Sequence, residues 1–281
     1  MRIRPERRHR VYLLGFLLFA SSTVAQIKRY HPDIQNIGKR DLTPNIWGVF
    51  PVSSERENAL GAELSKQFET TVKLLNDTLV ADYVTRLGGK LVQHSDAKSA
   101  VEFKIIDSEQ ADFTVLPAGH IFVNTGLIVG ASHEAELAAV LSNAIAHVAA
   151  RHVMRELSEA QILQLPAIPG VATAWHWSRL ERQRNLELPG INLELEGIKS
   201  THEKEADQLA IQYLWNTGYD PAAYITVLEK LAPQKLPPLQ LKIQDRLRSA
   251  MVGQQSLPDK LPYLMNSPEF DAVKSHLLKR Q

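Results

Sequence analysis

Residues 141–152 read LSNAIAHVAARH, and they continue the apolar run HEAELAAV of residues 133–140. Alanine, leucine and isoleucine recur throughout this stretch, which predicts one long helix over residues 133–157, apolar on most of its surface. Asn143 and His147 are four residues apart, so their side chains lie on the same face of that helix. The fold is therefore predicted around this helix, and these two polar positions are its first candidate site.

The two positions have the spacing of a metal-binding motif. In H-E-x-x-H, histidines at i and i+4 bind one zinc ion, and the glutamate activates a bound water molecule. Here Asn143 stands at the first histidine, Ala144 at the glutamate and His147 at the second histidine. A single histidine on an apolar helix is more often a hydrogen-bonded core residue, so the motif alone leaves both interpretations open. His152 lies off that face and is interpreted as a helix-end residue.

A second polar cluster, EKEAD at residues 203–207, offers a third ligand. Glu203 and Asp207 are also four residues apart, so one carboxylate can face a metal while the other orients a ligating histidine. Taken by themselves, two such acids are more often part of a solvated helix face.

The remaining chain predicts mostly helices and a few strands. The segment VEFKIID at 101–107 alternates and is rich in β-branched residues, and two short strand-like runs surround Pro117–Gly119 within residues 113–126. Further helices are predicted at residues 53–75, 78–94, 202–221, 221–231, 239–252 and 267–280. Residues 162–200 give no secondary-structure prediction.

The first residues resemble a secretory signal. A basic start is followed by about ten apolar residues and then by Thr23-Val24-Ala25, which predicts a signal peptide over residues 1–25. An uncleaved anchor is the alternative, but the apolar run is shorter than the roughly 20 residues that a spanning helix needs. Membrane contact is therefore expected only through this segment, and the predicted location is outside the cytoplasm, in the periplasm of a bacterium.

Composition excludes several classes of site. The chain of 281 residues has no cysteine, which rules out disulfides, thiolate metal sites and cysteine nucleophiles. The net charge is +1, but the first ten residues hold five arginines against one glutamate. The rest of the chain has no basic stripe, which argues against nucleic acid as a partner.

Four segments in one order carry a family resemblance. They are ADFTVLPAGHIFVNTGLI (111–128), ELAAVLSNAIAHVAARH (136–152), KSTHEKEAD (199–207) and GYDP (218–221). Together they resemble the HtpX-like and BepA-like zinc metalloendopeptidases, the gluzincin group that also contains the CAAX prenyl protease. The resemblance implies an α+β, zincin-like fold that is mainly helical, with a small sheet whose exposed edge strand lies beside the active-site helix.

The resemblance also implies a domain organisation. A metallopeptidase-like domain is expected over residues 51–232. An extended lead-in of residues 26–50 precedes it, and a helical C-terminal extension of residues 233–281 follows it.

Carried onto this chain, the resemblance makes His147 the second zinc ligand, Glu203 the third and Asp207 the acid behind them. Asn143 stands at the first ligand position and Ala144 at the general base, so no catalytic residue is assigned. Because a catalytic zinc needs three protein ligands and a water, zinc is expected to bind weakly or not at all. If the site is carried over, the side chains of His147 and Glu203 should lie about 3–4 Å apart.

Other positions near these motifs also depart from the family. Ser200 stands where the relatives have arginine, and Leu236 where they often have histidine before a basic helix. Asp112 and His202 are alternative ligands for a metal site of different composition. Replacement of the ligand and general-base residues, while the surrounding apolar residues are kept, is typical of a pseudoenzyme.

Residues 115–123, VLPAGHIFV, resemble the edge strand on which the family binds its substrate. The expected substrate-binding residues are Leu116, Pro117, Ala118, Gly119 and His120. Unpaired backbone groups along such an edge accept a peptide by strand addition, which needs no zinc. The alternative is an ordinary edge strand blunted by Pro117.

Three functional hypotheses follow. The first is a pseudopeptidase that binds an extended polypeptide or envelope protein, as a chaperone, a scaffold or a regulator of an active relative. The second is a working zinc metalloendopeptidase of protein quality control with unusual ligands. The third is a fold kept for stability, with an unrelated surface function.

Overall fold

The computed structural model describes residues 33–42, 54–159, 200–231 and 237–280. The signal peptide predicted at residues 1–25, much of the lead-in at 26–50 and nearly all of residues 162–200 lie outside this part of the chain. Within it, no helix combines the length and the apolar character that crossing a bilayer requires.

The described residues form many helices and one small sheet, which confirms the predicted α+β class. The helices are α1 (Ser54–Glu69), α2 (Thr78–Gln93), α3 (Thr125–Gly130), α4 (Glu134–Ala149), α5 (His152–Glu159), α6 (Ser200–Thr217), α7 (Ala222–Leu231), α8 (Pro237–Gln255) and α9 (Pro268–Leu278). The strands are β1 (Glu102–Ile106), β2 (Phe113–Leu116) and β3 (His120–Asn124). All these strands and the helices predicted by periodicity and capping are present, whereas α3 was not predicted.

The sheet has the strand order β1-β3-β2. β3 is parallel to β1 and antiparallel to β2, so β3 is central and β2 is terminal. The family resemblance predicted one edge strand over residues 115–123. The structure shows instead that this segment is the end of β2, a tight turn and most of β3. The chain reverses because Pro117 starts a 3₁₀ turn in which Ala118 and Gly119 have φ of 61° and 85°.

Helix α4 is the centre of the core. Every residue from Glu134 to Ala149 is buried, as a helix that is apolar on all sides requires. It contacts α2, α6 and α7. Several of its side chains are alanines, which allow neighbouring backbones to approach closely. This central position brings the polar residues of α4 next to those of α6 and α7.

The predicted helix over residues 133–157 is divided in two. α4 ends at Ala149, and α5 begins at His152 after Arg151, whose φ is +51°. A residue in this left-handed region cannot continue a right-handed helix, so the chain changes direction there. As a result the ring of His152 turns back onto His147, with the two centroids 4.9 Å apart.

The C-terminal helices join the same core. The buried carboxylate of Glu134, at the start of α4, accepts hydrogen bonds from Tyr83 (3.0 Å), Tyr219 (2.5 Å) and Ser267. Ser267 also caps α9 by accepting from the backbone N–H of Phe270. The position of α9 is thus fixed by the helix that carries His147.

Close packing at Gly61 holds α1 against the turn between β2 and β3. A Cβ added at Gly61 would lie 2.4 Å from the carbonyl oxygen of Pro117, a backbone atom that cannot easily move. We expect Gly61→Ala to destabilise the fold by about 1–3 kcal/mol, measured by urea unfolding. The matched control is Gly89→Ala in α2, where a Cβ meets no atom within 4 Å. That change should stabilise the helix by about 0.5–1 kcal/mol, and equal effects at the two sites would contradict the close approach.

Candidate functional site

Helices α4 and α6 bring His147 and Glu203 together. The distance from His147 Nε2 to Glu203 Oε1 is 3.7 Å, in the range predicted from the sequence for these two side chains. Both residues are buried, with 1% and 7% of their surface exposed. His147 Nε2 has no hydrogen-bond partner among the described residues.

Asn143 uses its amide differently from a metal ligand. Its Nδ2 lies 3.3 Å from Asp207 Oδ1 and 2.8 Å from the hydroxyl oxygen of Tyr224. That hydroxyl in turn donates to Asp207 Oδ1 over 2.5 Å. Because an ionised carboxylate only accepts hydrogen bonds, the amide donates to Asp207. The donor end of Asn143 is therefore directed at these two groups.

Arg246, on α8, completes this cluster. Its Nε and one terminal nitrogen bind the two oxygens of Asp207 at 2.9 and 2.7 Å. The other terminal nitrogen lies 2.9 Å from Glu203 Oε2. Burial opposes the charge of this guanidinium, but Asp207, Tyr224 and Glu203 together outweigh it and raise the pKa of Arg246 well above its usual value. A permanently charged cation thus contacts both acids of the α6 motif.

The sequence reasoning missed both Arg246 and Tyr224. Tyr224 follows the GYDP segment by three residues, and Arg246 lies in the helix that follows Leu236. The GYDP segment and the Leu236-Pro237 pair were the only sequence features that pointed to these two helices. Neither indicates which side chain of its helix turns inward.

A stack of histidines lies on the other side of His147. His152 Nδ1 is 3.1 Å from His147 Nδ1, and the rings of His152 and His202 stack with centroids 4.7 Å apart. Burial, followed by the charges of His152 and Arg246, lowers the pKa of His147 well below its usual value. His147 is therefore a neutral imidazole near pH 7.

Two acids hold the outer part of this stack. Glu205 accepts from His152 (3.2 Å) and Arg155 (2.9 Å), and these hydrogen bonds lower the pKa of Glu205 to about 2. His202 Nδ1 lies 2.5 Å from Glu156 Oε1. His202, one of the two alternative ligands, is thus engaged with Glu156 and stacked on His152.

The other alternative ligand, Asp112, is placed at the start of β2. Its Oδ1 accepts from the backbone N–H of Phe113 over 2.8 Å, and its carbonyl oxygen accepts from Asn124. At the general-base position, Ala144 is fully buried. A methyl group there has no lone pair or proton to exchange with a substrate.

A narrow cleft connects His147 with the edge of the sheet. It is lined by Glu57, Val115, Leu116, Pro117, Ala118, Gly119, His147, Val148, Arg151, Val153 and Met154. Four of the five predicted substrate-binding residues are in this lining. The fifth, His120, contacts Glu102 on β1 instead, with its Nδ1 2.9 Å from Glu102 Oε2. An ion pair between Glu57 and Arg151 links α1 to the α4–α5 junction beside the cleft.

The described residues do not fit a catalytic zinc. His147 and Glu203 are placed as two ligands, but a third protein ligand is needed. Asn143, at that position, directs an N–H donor at Asp207. The Arg246 cation lies against Glu203. In the described part of the chain, no group of three or more histidine or acidic side chains is arranged to hold a metal ion.

Comparisons with known proteins agree with the motif resemblance. Beta-barrel assembly-enhancing protease from Yersinia pestis is 28% identical over 203 residues, covering 69% of this chain and 42% of that protein. The protein of that name from Escherichia coli K12 is 27% identical over 223 residues, covering 77% and 45%. Mitochondrial metalloendopeptidase OMA1 from Arabidopsis thaliana is 30% identical over 140 residues, covering 46% and 25%. The chain therefore spans less than half the length of these relatives.

The family match reaches from α2 into α9. A sequence model of Peptidase family M48 matches residues 79–276, which include both polar motifs and the helix that carries Arg246. This confirms the resemblance to the HtpX-like and BepA-like peptidases. The chain belongs to peptidase family M48.

Proposed function

We propose that this chain is a pseudopeptidase that binds extended polypeptide in the cell envelope without cleaving it. The observation that carries the proposal is the cleft itself. It places a terminal β-strand beside His147. The two positions of the same helix that hydrolysis needs, four and three residues before this histidine, are Asn143 and Ala144.

The argument against cleavage is chemical. A general base typically contributes 10²–10⁴-fold to the rate of such a reaction. Ala144 has only a methyl side chain and cannot take up the proton of a water molecule. The nearest ionisable groups of the α6 motif, Glu203 and Asp207, are held by Arg246. Hydrolysis at this site is therefore expected to be negligible.

The argument for binding comes from the β2 ladder. The backbone N–H of Asn124 donates to the carbonyl of Asp112, so these residues form a hydrogen-bonded pair. Such pairs alternate in antiparallel strands, which turns the backbone groups of Phe113 and Val115 away from β3. Because the N–H of Phe113 already donates to Asp112 Oδ1, the outward N–H that a peptide would use is that of Val115. In the described part of the chain no strand pairs with this outer side of β2. An extended peptide that pairs there runs along the cleft.

The chemistry of the cleft suggests the type of partner. Its wall is largely apolar at Val115, Leu116, Val148 and Met154, which suits a peptide with alternating apolar side chains. Unfolded β-rich envelope proteins have this pattern. Two of the relatives are named beta-barrel assembly-enhancing protease. That name and the predicted signal peptide support a periplasmic chain that holds such a polypeptide or regulates an active relative.

The test is a comparison of Val115→Pro with Val115→Thr. Proline removes the outward N–H at a strand position where it is tolerated, whereas threonine keeps the N–H and the shape of valine. We expect wild type and Val115→Thr to bind fluorescein-labelled casein in an anisotropy titration, and Val115→Pro to bind it about tenfold more weakly. Thermal melts establish that both variants are folded.

Two results would contradict the proposal. Casein fragments whose appearance is abolished by a chelator would favour the second hypothesis, an active metalloendopeptidase. Casein binding that is unchanged in Val115→Pro, or absent in wild type, would favour a fold with an unrelated surface function.

A further inference from the structure

Two buried acids in this site share one organic cation. Glu203 and Asp207 lie on the same face of α6, and Arg246 of α8 contacts both. We infer that the guanidinium of Arg246 takes the place of a metal cation as the positive charge between these two acids, and that the site excludes zinc for this reason. This inference is independent of whether the cleft binds polypeptide.

The geometry of the contacts supports the exchange. Asp207 receives two nearly parallel hydrogen bonds from Nε and a terminal nitrogen, the bidentate arrangement in which guanidinium binds carboxylate most strongly. The third nitrogen of the fork is used for Glu203. Uncompensated buried carboxylates strongly destabilise a fold, so a cation is required here. Arginine supplies one that cannot dissociate or be chelated.

The same contacts explain why zinc is excluded. An ion bound between His147 Nε2 and Glu203 Oε1 would share the Glu203 carboxylate with Arg246, placing two cations a few ångströms apart. Repulsion at that distance is large in a buried site, where the dielectric constant is low. Asn143 adds an N–H donor, not a lone pair, on the side of Asp207.

An ordinary structural ion pair between α6 and α8 is the competing explanation. Both explanations predict that loss of Arg246 destabilises the fold. Only the exchange of cations predicts that removing the guanidinium increases zinc affinity. The decisive comparison is therefore made in a background where a third zinc ligand is present.

The experiment measures zinc in three variants by calorimetric titration and by metal analysis after gel filtration. Asn143→His restores the third ligand, and it is combined with Arg246→Gln, which removes the charge, or with Arg246→Lys, which keeps it. We expect the His–Gln double variant to bind one zinc at least about tenfold more tightly than Asn143→His alone. The His–Lys variant should resemble Asn143→His, because the ammonium still repels the ion.

Stability is the second readout. A chelator should leave the thermal midpoint of the wild type unchanged, and zinc chloride should not raise it. Zinc should raise the midpoint of the His–Gln variant, because a ligand that binds only the folded state stabilises it. If this variant is not recovered folded, refolding is repeated with zinc chloride, and recovery only with zinc supports the exchange.

Three outcomes would overturn the inference. They are equally tight zinc binding by Asn143→His and the His–Gln variant, a lower wild-type midpoint in chelator, and failure of zinc to rescue an unfolded His–Gln variant. Because casein is absent from every arm, these outcomes do not bear on the proposed polypeptide binding.

Discussion

Asp207→Ala is expected to lower the free energy of unfolding by about 3–5 kcal/mol, because it leaves the buried guanidinium of Arg246 without its bidentate partner. The Tyr224 hydroxyl and the Asn143 amide lose the same acceptor. Burial and the nearby Asp207 charge also raise the pKa of Tyr224 well above its usual value, so this hydroxyl remains a donor. Urea unfolding followed by circular dichroism measures the loss.

Asp207→Asn is the matched control for charge. An asparagine keeps one oxygen for Arg246 or Tyr224 but presents an N–H₂ group where the second oxygen was. Its loss of stability should therefore be smaller than that of Asp207→Ala. In a double-mutant cycle, Arg246→Gln should cost much less in the Asp207→Ala background than in the wild type. Additive effects would mean that the two residues do not stabilise each other.

Asp96→Ala is expected to lower the free energy of unfolding by a similar amount, in a second buried cluster. The fully buried Asp96 side chain accepts from Arg40 Nε (2.9 Å), the backbone N–H of Gly38 (2.7 Å) and the hydroxyl of Tyr213 (3.0 Å). Removing it takes away the buried carboxylate that pairs with the largely buried Arg40 and leaves only the exposed Asp33 as an acid partner, which costs about 3–5 kcal/mol. Trypsin should then cleave near Lys39 and Arg40, because this contact holds residues 33–42 against the domain.

Asp33→Ala is the control for Asp96→Ala. Asp33 also contacts Arg40, at 3.2 Å, but its side chain is 59% exposed. An exposed pair contributes about 0–1 kcal/mol, so stability and trypsin resistance should stay near the wild-type values. If Asp33→Ala were as damaging as Asp96→Ala, the burial of the Asp96 contact would not explain its strength.

Local patterns in the sequence were sufficient for most of the fold. The helices predicted at residues 78–94 and 267–280 are present, and the structure shows that Asp77 and Ser267 cap them by accepting from the backbone N–H groups of Val80 and Phe270. The buried length of α4 followed from its apolar residues. By contrast, the left-handed Arg151 has no local signal, since glycine or asparagine normally marks such a position.

Only the site residues that lie on known motifs could be predicted from the sequence. His147, Glu203 and Asp207 were found because they lie on two motifs with known spacing, and the first two are 3.7 Å apart. Arg246 lies in α8 among lysine, glutamine, aspartate and further arginine, a composition typical of a solvated helix. Which of these side chains turns inward depends on how α8 packs on α6, and no short-range pattern records that contact.

The guanidinium shared by Glu203 and Asp207 also constrains how this sequence can evolve. A change of Asn143 to histidine gives only weak zinc binding while Arg246 remains, and loss of Arg246 alone leaves two buried acids without their cation. Each single substitution towards a metal site is thus neutral or harmful, although the pair together is favourable. This is sign epistasis, and it makes the metal-free state a local optimum that stepwise mutation does not readily leave.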